Sequence, residues 1–235
     1  MPDPTLEHHK RQAGEAAAAL VVPGMTVGLG TGSTVRFTIE AIGRRLATGA
    51  LRDVVGVATS RATERLAAAC GIPLADLADR PVRDLCIDGA DEVSPTLDLI
   101  KGLGAALLRE KIVATAARRR VIVVDAGKRV ARLGTRAHLP VAVIPFAWPV
   151  HLDPIRALGG VPELRREPSG APLVSDDGLY LLDCRFPAGI PHPADLEAAL
   201  RARAGIVATG LFLGMTEMVF VAGAEGMEVL TVSGS

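Results

Sequence analysis

Acid, cation and base lie close together in the stretch Asp88–Lys111. Asp88 and Asp91 flank Gly89-Ala90, Lys101 opens the glycine-rich turn Lys101-Gly102-Leu103-Gly104, and Glu110 falls inside a helical pattern soon after. Carboxylates can take and return protons, and a lysine among peptide N–H groups can steady a developing oxyanion. That chemistry suits proton transfer on a small polar substrate. Each residue also has a plainer reading. Asp88-Gly89 can be only a turn, Asp91-Glu92 a solvated or capping pair, and Glu110, between Arg109 and Lys111, a surface ion-pair partner.

The elements that would position these groups are short apolar runs with polar residues at their ends. Asp84-Leu85-Cys86-Ile87 reads as a buried strand that delivers Asp88 at its carboxyl end. Met25–Leu29 reads as another, running into Gly30-Thr31-Gly32-Ser33-Thr34 with a helical pattern through Phe37, Ile39 and Ile42 behind it. A glycine loop at a helix N-terminus offers N–H groups, hydroxyls and a favourable dipole to an anion, so Thr31, Gly32, Ser33 and Thr34 are candidate phosphate ligands. The loop lacks the third glycine of the dinucleotide fingerprint and the Gly-Lys-Ser/Thr of the Walker pattern. A small phosphorylated molecule fits it better, although a plain strand-to-helix turn remains the alternative. Val54–Ala58 leads into Thr59-Ser60, and Val121–Val124 ends at Asp125 with Lys128 just beyond. Strands alternating with helices predict an α/β fold with a doubly wound, Rossmann-like, mostly parallel sheet, in which these ends share one side. Lys10, in an N-terminal helix that Asp3-Pro4 would start, could reach a nearby anion. Arg118-Arg119-Arg120 is expected at a helix end, where positive charge is favourable.

From His138 the texture changes. Leu139–Ile144 reads as a strand, His151–Leu158 as a helix, the regions near Glu163–Arg166 and Leu179–Asp183 as short strands, Pro193–Arg203 as a helix and Ile206–Leu213 as a strand. That order is ferredoxin-like. The expected division is therefore a catalytic α/β domain over 1–134 and 210–235 and an inserted smaller α+β domain over 135–209. Asp176-Asp177-Gly178 reads as a hairpin turn, and Met218–Val232 as a closing hairpin.

Composition narrows the function classes. With 49% hydrophobic and 22% charged residues, 235 residues are enough to bury a substantial core. Basic and acidic residues balance at 26 each and aromatics are 3%, which argues against a nucleic-acid partner. The apolar stretch Ala16–Val22 is too short to span a bilayer, and the N-terminus lacks the basic and apolar regions of a signal peptide. Cys70, Cys86 and Cys184 have no metal or redox spacing and suit a reducing, cytoplasmic setting. His8, His9, His138, His151 and His192 are scattered, so no metal site is expected.

The blocks Gly28–Thr34, Asp88-Gly89-Ala90-Asp91-Glu92, Lys101–Leu107 with Arg109-Glu110-Lys111, and Leu139–Pro145 together resemble type A ribose-5-phosphate isomerase, in the family's order and along nearly the whole chain. The resemblance implies interconversion of ribose 5-phosphate and ribulose 5-phosphate through an enediolate, with no metal or organic cofactor, by a cytoplasmic homodimer or homotetramer of the pentose phosphate pathway. It implies Glu110 as base, Lys101 as oxyanion stabiliser, and Asp88 or Asp91 handling hydroxyl protons and ring opening. The substrate would meet Thr31, Gly32, Ser33, Thr34, Asp88, Gly89, Ala90, Asp91, Lys101, Gly102, Leu103, Gly104 and Lys128. Leu103, Gly127 and Ala142 depart from the family's usual residues; Leu103 is expected to reshape its turn because a Cβ resists positive φ, and Ala142 to affect packing or assembly of the small domain. Two other classes compete with this one, a sugar-phosphate sensor of the same fold and a coenzyme A transferase with a nucleophilic glutamate. The first lacks a flanking DNA-binding module, and the second fits poorly with proton chemistry on a small phosphosugar.

Overall fold

The computed structural model describes residues 3–80 and 84–231. In chain order they form α1 (Pro4–Ala18), β1 (Thr26–Leu29), α2 (Val35–Ala47), β2 (Val55–Ala58), α3 (Arg61–Ala69), β3 (Leu85–Asp88), β4 (Glu92–Val93), β5 (Leu99–Ile100), α4 (Leu107–Ala116) and β6 (Arg119–Asp125). There follow β7 (Leu139–Val143), α5 (Leu152–Ala157), β8 (Val161–Leu164), β9 (Tyr180–Arg185), α6 (Pro193–Arg201), β10 (Ile206–Thr209), β11 (Leu211–Phe212), β12 (Met218–Gly223) and β13 (Gly226–Thr231). Two compact units emerge, one of 1–90, 109–128 and 215–235, the other of 91–108 and 129–214. The sequence suggested 135–209 for the smaller one, and the second unit contains that range within 91–108 and 129–214.

The first unit is built on a sheet in the order β13-β12-β6-β3-β1-β2, parallel except for the terminal β12–β13 hairpin. From β1 the chain steps out to β2 and then returns to β3 on the other side of β1. In such sheets a ligand crevice opens at that reversal, beyond the strand carboxyl ends. Leu29 pairs with Ala58 on one side and with Ile87 on the other. The Gly30–Thr34 loop, Thr59-Ser60 and Asp88 therefore emerge along one edge, as the sequence suggested. Both faces of the sheet are covered, which makes it doubly wound. Val27, Leu29, Leu85, Ile87, Val121 and Val123 pack with Ala13, Ala17, Ile39 and Ile42 of α1 and α2. The alternate residues face α4, where a Cβ on Gly28 would stand 2.6 Å from Val113 Cγ1, so only glycine admits the helix this close.

Helix starts follow local chemistry. Asp3 accepts from Thr5 N (2.9 Å) ahead of Pro4, and Ser60 Oγ accepts from Thr63 N (3.1 Å) to start α3. The arginine run differs from expectation, because α4 ends at Ala116 and Arg119 and Arg120 already belong to β6. Arg120 Nη1 still donates to Ala117 O (2.6 Å), while Arg119 Nε donates to Glu217 Oε1 (3.1 Å).

In the second unit β7, α5, β8, β9, α6 and β10 form an antiparallel sheet in the order β10-β7-β9-β8, the ferredoxin-like arrangement. Leu139, Val141, Val143, Leu182 and Cys184 meet Ile155, Leu196 and Leu200 on one face. Ala142, Leu181 and Ala208 pack with Leu107 and Leu179 on the other. Ala142 is thus a packed residue of this core. Burial pushes the Cys184 thiol far above its ordinary range, with Asp183 adding to the shift. Asp176-Asp177-Gly178 is the expected turn, closed by Ser175 N to Leu179 O (2.9 Å). The strand expected over Ile206–Leu213 breaks at Gly210, which donates to Pro140 O (2.7 Å) and accepts from Lys101 N (2.9 Å). A Cβ there would lie 2.3 Å from Lys101 O. The chain thereby passes from the four-stranded sheet into a small one ordered β11-β5-β4. Among the described residues no helix is long and apolar enough to cross a membrane.

Candidate active site

Within the first unit Asp88 organises the glycine loop. It is 2% exposed, and its Oδ1 accepts from Thr31 N (3.0 Å) and Gly89 N (2.7 Å). A Cβ on Gly30 would fall 2.1 Å from that oxygen, so the loop can lie against the carboxylate only as glycine. The Asp88-Gly89-Ala90 segment is thereby joined to the Gly30–Thr34 loop by more than a turn hydrogen bond.

The Thr31 hydroxyl has an unexpected setting. It lies 2.8 Å from Thr59 Oγ1, donates to Ser60 Oγ (2.8 Å) and lies 3.1 Å from Thr63 Oγ1. Thr63 donates onward to Gly30 O (2.8 Å) and Thr59 to Leu29 O (3.1 Å). This buried hydroxyl cluster ties the loop to β2 and α3. Beyond it Gly32 and Ser33 are exposed, with Gly32 at φ +139, and Thr34 makes no side-chain cap at the start of α2. Thr34 thus gives α2 no capping hydroxyl, and of the first-turn N–H groups those of Arg36 and Phe37 donate to Gly32 O (3.2 Å) and Thr34 O (3.1 Å).

Cations border this loop from α1 and α2. Arg36 Nε donates to Ser33 O (3.2 Å), its guanidinium pairs with Glu7, and its charge lies 4.3 Å from the Phe37 ring centroid. Lys10 Nζ is 3.4 Å from Glu7 Oε1. Partial burial opposes ionisation of Glu7, but Lys10 and Arg36 outweigh it and hold the carboxyl below its usual range. Lys10 is thus tied to its own helix, and Arg36, which the sequence reading passed over, is the cation bonded to the loop. Its position one turn after Ser33 was the available signal. At the end of β6, Asp125 Oδ1 accepts from Gly127 N (3.0 Å) and closes a short 3-10 turn that presents the half-buried Lys128. A side chain at Gly127 would begin 2.9 Å from the same oxygen.

Glu110 lies on α4 and is 3% exposed. A surface ion-pair partner would be solvated, so burial removes that reading. Neighbouring Arg109 reaches Glu64 Oε1 at 3.6 Å.

Asp91, Lys101, Gly102, Leu103 and Gly104 belong to the second unit, which fastens the turn at several points. Lys101 is 3% exposed, and its ammonium lies 5.5 Å from the Phe212 ring centroid. Asp91 Oδ2 accepts from Leu103 N (3.0 Å). The positive φ values fall at Gly102 (+105) and Ala105 (+63) rather than at Leu103. Leu103 therefore sits in this turn without the strain expected of it, with its side chain partly exposed. Glu92 is the carboxylate that sequence reasoning undervalued. It is fully buried and accepts from Gly134 N (2.5 Å), Arg136 N (2.6 Å) and Ala137 N (2.7 Å). Glu92→Ala should strip three backbone donors of their acceptor and destabilise the chain by about 2–4 kcal/mol. A denaturant midpoint equal to that of the parent chain would show that these bonds contribute nothing. Among the described residues no group of three His, Cys, Asp or Glu side chains could hold a metal ion.

Comparison with known proteins agrees with this architecture. A family model described as ribose 5-phosphate isomerase A (phosphoriboisomerase A) matches residues 55–226. The ribose-5-phosphate isomerase A of Roseiflexus castenholzii is 50% identical over 219 residues, 93% of each chain. That of Deinococcus radiodurans is 46% identical over 227 residues, covering 96% of this chain and 99% of the relative. A solved D-ribose-5-phosphate isomerase in complex with phospho-erythronic acid superposes with a TM-score of 0.93 at 36% identity, covering 96% of this chain and 99% of that one. The enzyme from Methanocaldococcus jannaschii gives 0.91 at 35% over the same shares. The chain belongs to the ribose 5-phosphate isomerase A family.

Proposed function

We propose that this chain interconverts ribose 5-phosphate and ribulose 5-phosphate through an enediolate. The observation that carries the reading is the burial of Asp88, Lys101 and Glu110, at 2%, 3% and 3% exposure, in a chain whose relatives are ribose-5-phosphate isomerases. Acids and lysines are seldom buried so fully without a structural or chemical reason, and such groups concentrate where chemistry is done.

The reaction moves a carbonyl between adjacent carbons and needs no net gain or loss of atoms. Glu110 takes the proton from C2 of the open aldose, the C2–H electrons form the C1–C2 double bond, and the former carbonyl oxygen becomes anionic. Returning the proton to C1, with a proton moved between the two oxygens, yields the ketose. One carboxylate serves both transfers. Lys101 and the glycine N–H groups of its turn stabilise the oxyanion, and Asp88 or Asp91 carries hydroxyl protons and opens the ring. Thr31, Gly32, Ser33, Thr34 and Lys128 hold the phosphate. Thr31 contributes by fixing the loop, since its hydroxyl is engaged by Thr59, Ser60 and Thr63 and its N–H already donates to Asp88 Oδ1.

Incubating the purified chain with ribose 5-phosphate, with and without EDTA, and following ribulose 5-phosphate tests the activity. Turnover unaffected by EDTA is expected; absence of turnover refutes the proposal, and loss in EDTA restored by one divalent ion refutes its metal-free form. The phosphate site has a separate check. Ser33→Ala and Lys128→Ala should raise KM and weaken calorimetric binding of inorganic phosphate, with kcat falling only so far as phosphate contacts orient the sugar. Unchanged affinity in both folded variants would reduce the loop to a structural turn.

A further inference from the structure

The turn that carries Lys101 is gripped by a side chain remote in sequence. Arg165 follows β8, where its backbone N–H donates to Leu181 O (2.9 Å) and its carbonyl accepts from Leu173 N (3.0 Å). Its side chain, 11% exposed, makes a forked pair with Asp183, with Nε donating to Oδ2 at 2.8 Å and Nη2 to Oδ1. His138 Nε2 lies 3.2 Å from the same carboxylate. The remaining nitrogen, Nη1, donates to Gly102 O (3.2 Å) and Leu103 O (3.0 Å).

Trans peptide units are planar, with C=O and N–H on opposite sides. Holding the Gly102 and Leu103 carbonyls on one cation therefore turns the N–H groups of Leu103 and Gly104 away from Arg165. The Leu103 N–H meets Asp91 Oδ2. Gly102 and Ala105 hold positive φ in the same turn, and at Ala105 that conformation persists only where the surroundings enforce it. A guanidinium suits this task because it can fork onto a carboxylate and still present two donors in a fixed plane.

We infer that Arg165 is a positioning residue for the isomerisation: by fixing the Gly102 and Leu103 carbonyls it aims the Gly104 N–H, and Asp91 through the Leu103 N–H, at the reacting end of the sugar. This rests on the function proposed above. Arg165 acts through the turn, and Asp183 keeps its guanidinium in the required plane.

The test uses the full chain and the variants Arg165→Met, Arg165→Met with Asp183→Asn, and Arg165→Lys. Misplacing a catalytic element by about 1 Å can cost on the order of 10²-fold, so kcat in Arg165→Met should fall by about 10²-fold with KM little changed. Affinity for phospho-erythronic acid, whose carboxylate carries charge where the enediolate oxygens develop, should fall with kcat. Affinity for inorganic phosphate should not. The double variant removes the stranded carboxylate and should recover thermal stability without recovering kcat, while Arg165→Lys, which cannot fork, should recover only part. Near-parent kcat in a folded Arg165→Met, or activity that returns with stability in the double variant, overturns the inference alone. An inactive parent chain overturns the proposed function and this inference with it.

Discussion

Glu110→Gln should lower kcat by about 10²–10⁴-fold, the range commonly lost with a general base, while leaving the affinity for a non-reactive sugar phosphate near that of the parent chain. The amide preserves the volume of a side chain that is 3% exposed on α4, so the change tests basicity with little change in packing. Two measurements separate the outcomes. Exchange of the C2 proton of ribose 5-phosphate with solvent reports the abstraction step directly, and it should fall together with net isomerisation. Calorimetry with phospho-erythronic acid reports whether the site remains formed. A variant that keeps near-parent kcat would return Glu110 to a structural role. One that loses ligand binding and thermal stability together would show that its carboxylate holds the fold rather than moves a proton.

Why some of this was legible in the sequence follows from the physics of short strands. β1, β2, β3 and β6 are buried on both faces, so they read as continuous apolar runs, and their ends are marked by glycine, hydroxyl or aspartate. Alternation with helices then makes the sheet parallel and collects those ends on one edge. The ferredoxin-like order of the second unit was legible because β7 to β10 and their helices follow one another in chain order, and the 165–179 connection between β8 and β9 carries the Asp176-Asp177-Gly178 turn.

What was not legible depends on distant partners. β4 and β5 are two-residue strands, too short to show a period, and they exist because β11 completes their sheet. Asp91 and Glu92 are adjacent carboxylates that look alike in sequence. They part company because Gly134, Arg136 and Ala137 fold their N–H groups onto Glu92 and leave Asp91 for Leu103. The Thr31 hydroxyl could not be assigned to the loop's structure until Thr59, Ser60 and Thr63 were placed around it. Gly210 reads as one more residue of a strand until the Lys101 carbonyl appears where its Cβ would be. In each case local pattern sets the element, and a long-range hydrogen bond or close approach sets what the residue does.

Lys101→Met is the second variant with a large expected effect. Methionine keeps most of the apolar stem and removes the ammonium, which lies 5.5 Å from the Phe212 ring centroid, and so avoids the cavity an alanine would leave in a position 3% exposed. If the ammonium stabilises charge that develops only in the transition state, kcat should drop by about 10²–10³-fold, as for loss of one oxyanion donor. KM should change little, because the neutral open-chain sugar offers that group no full charge to hold. Phospho-erythronic acid discriminates further, since its carboxylate presents in the ground state the charge that the sugar acquires only in the enediolate. Its dissociation constant should rise in Lys101→Met by a factor that follows the loss in kcat, whereas binding of inorganic phosphate should stay at the parent value. If Lys101 were instead a phosphate ligand, the two ligands would weaken together and KM would rise with them. A folded Lys101→Met that binds phospho-erythronic acid as tightly as the parent chain would remove Lys101 from the oxyanion site and leave the glycine N–H groups of its turn to act alone.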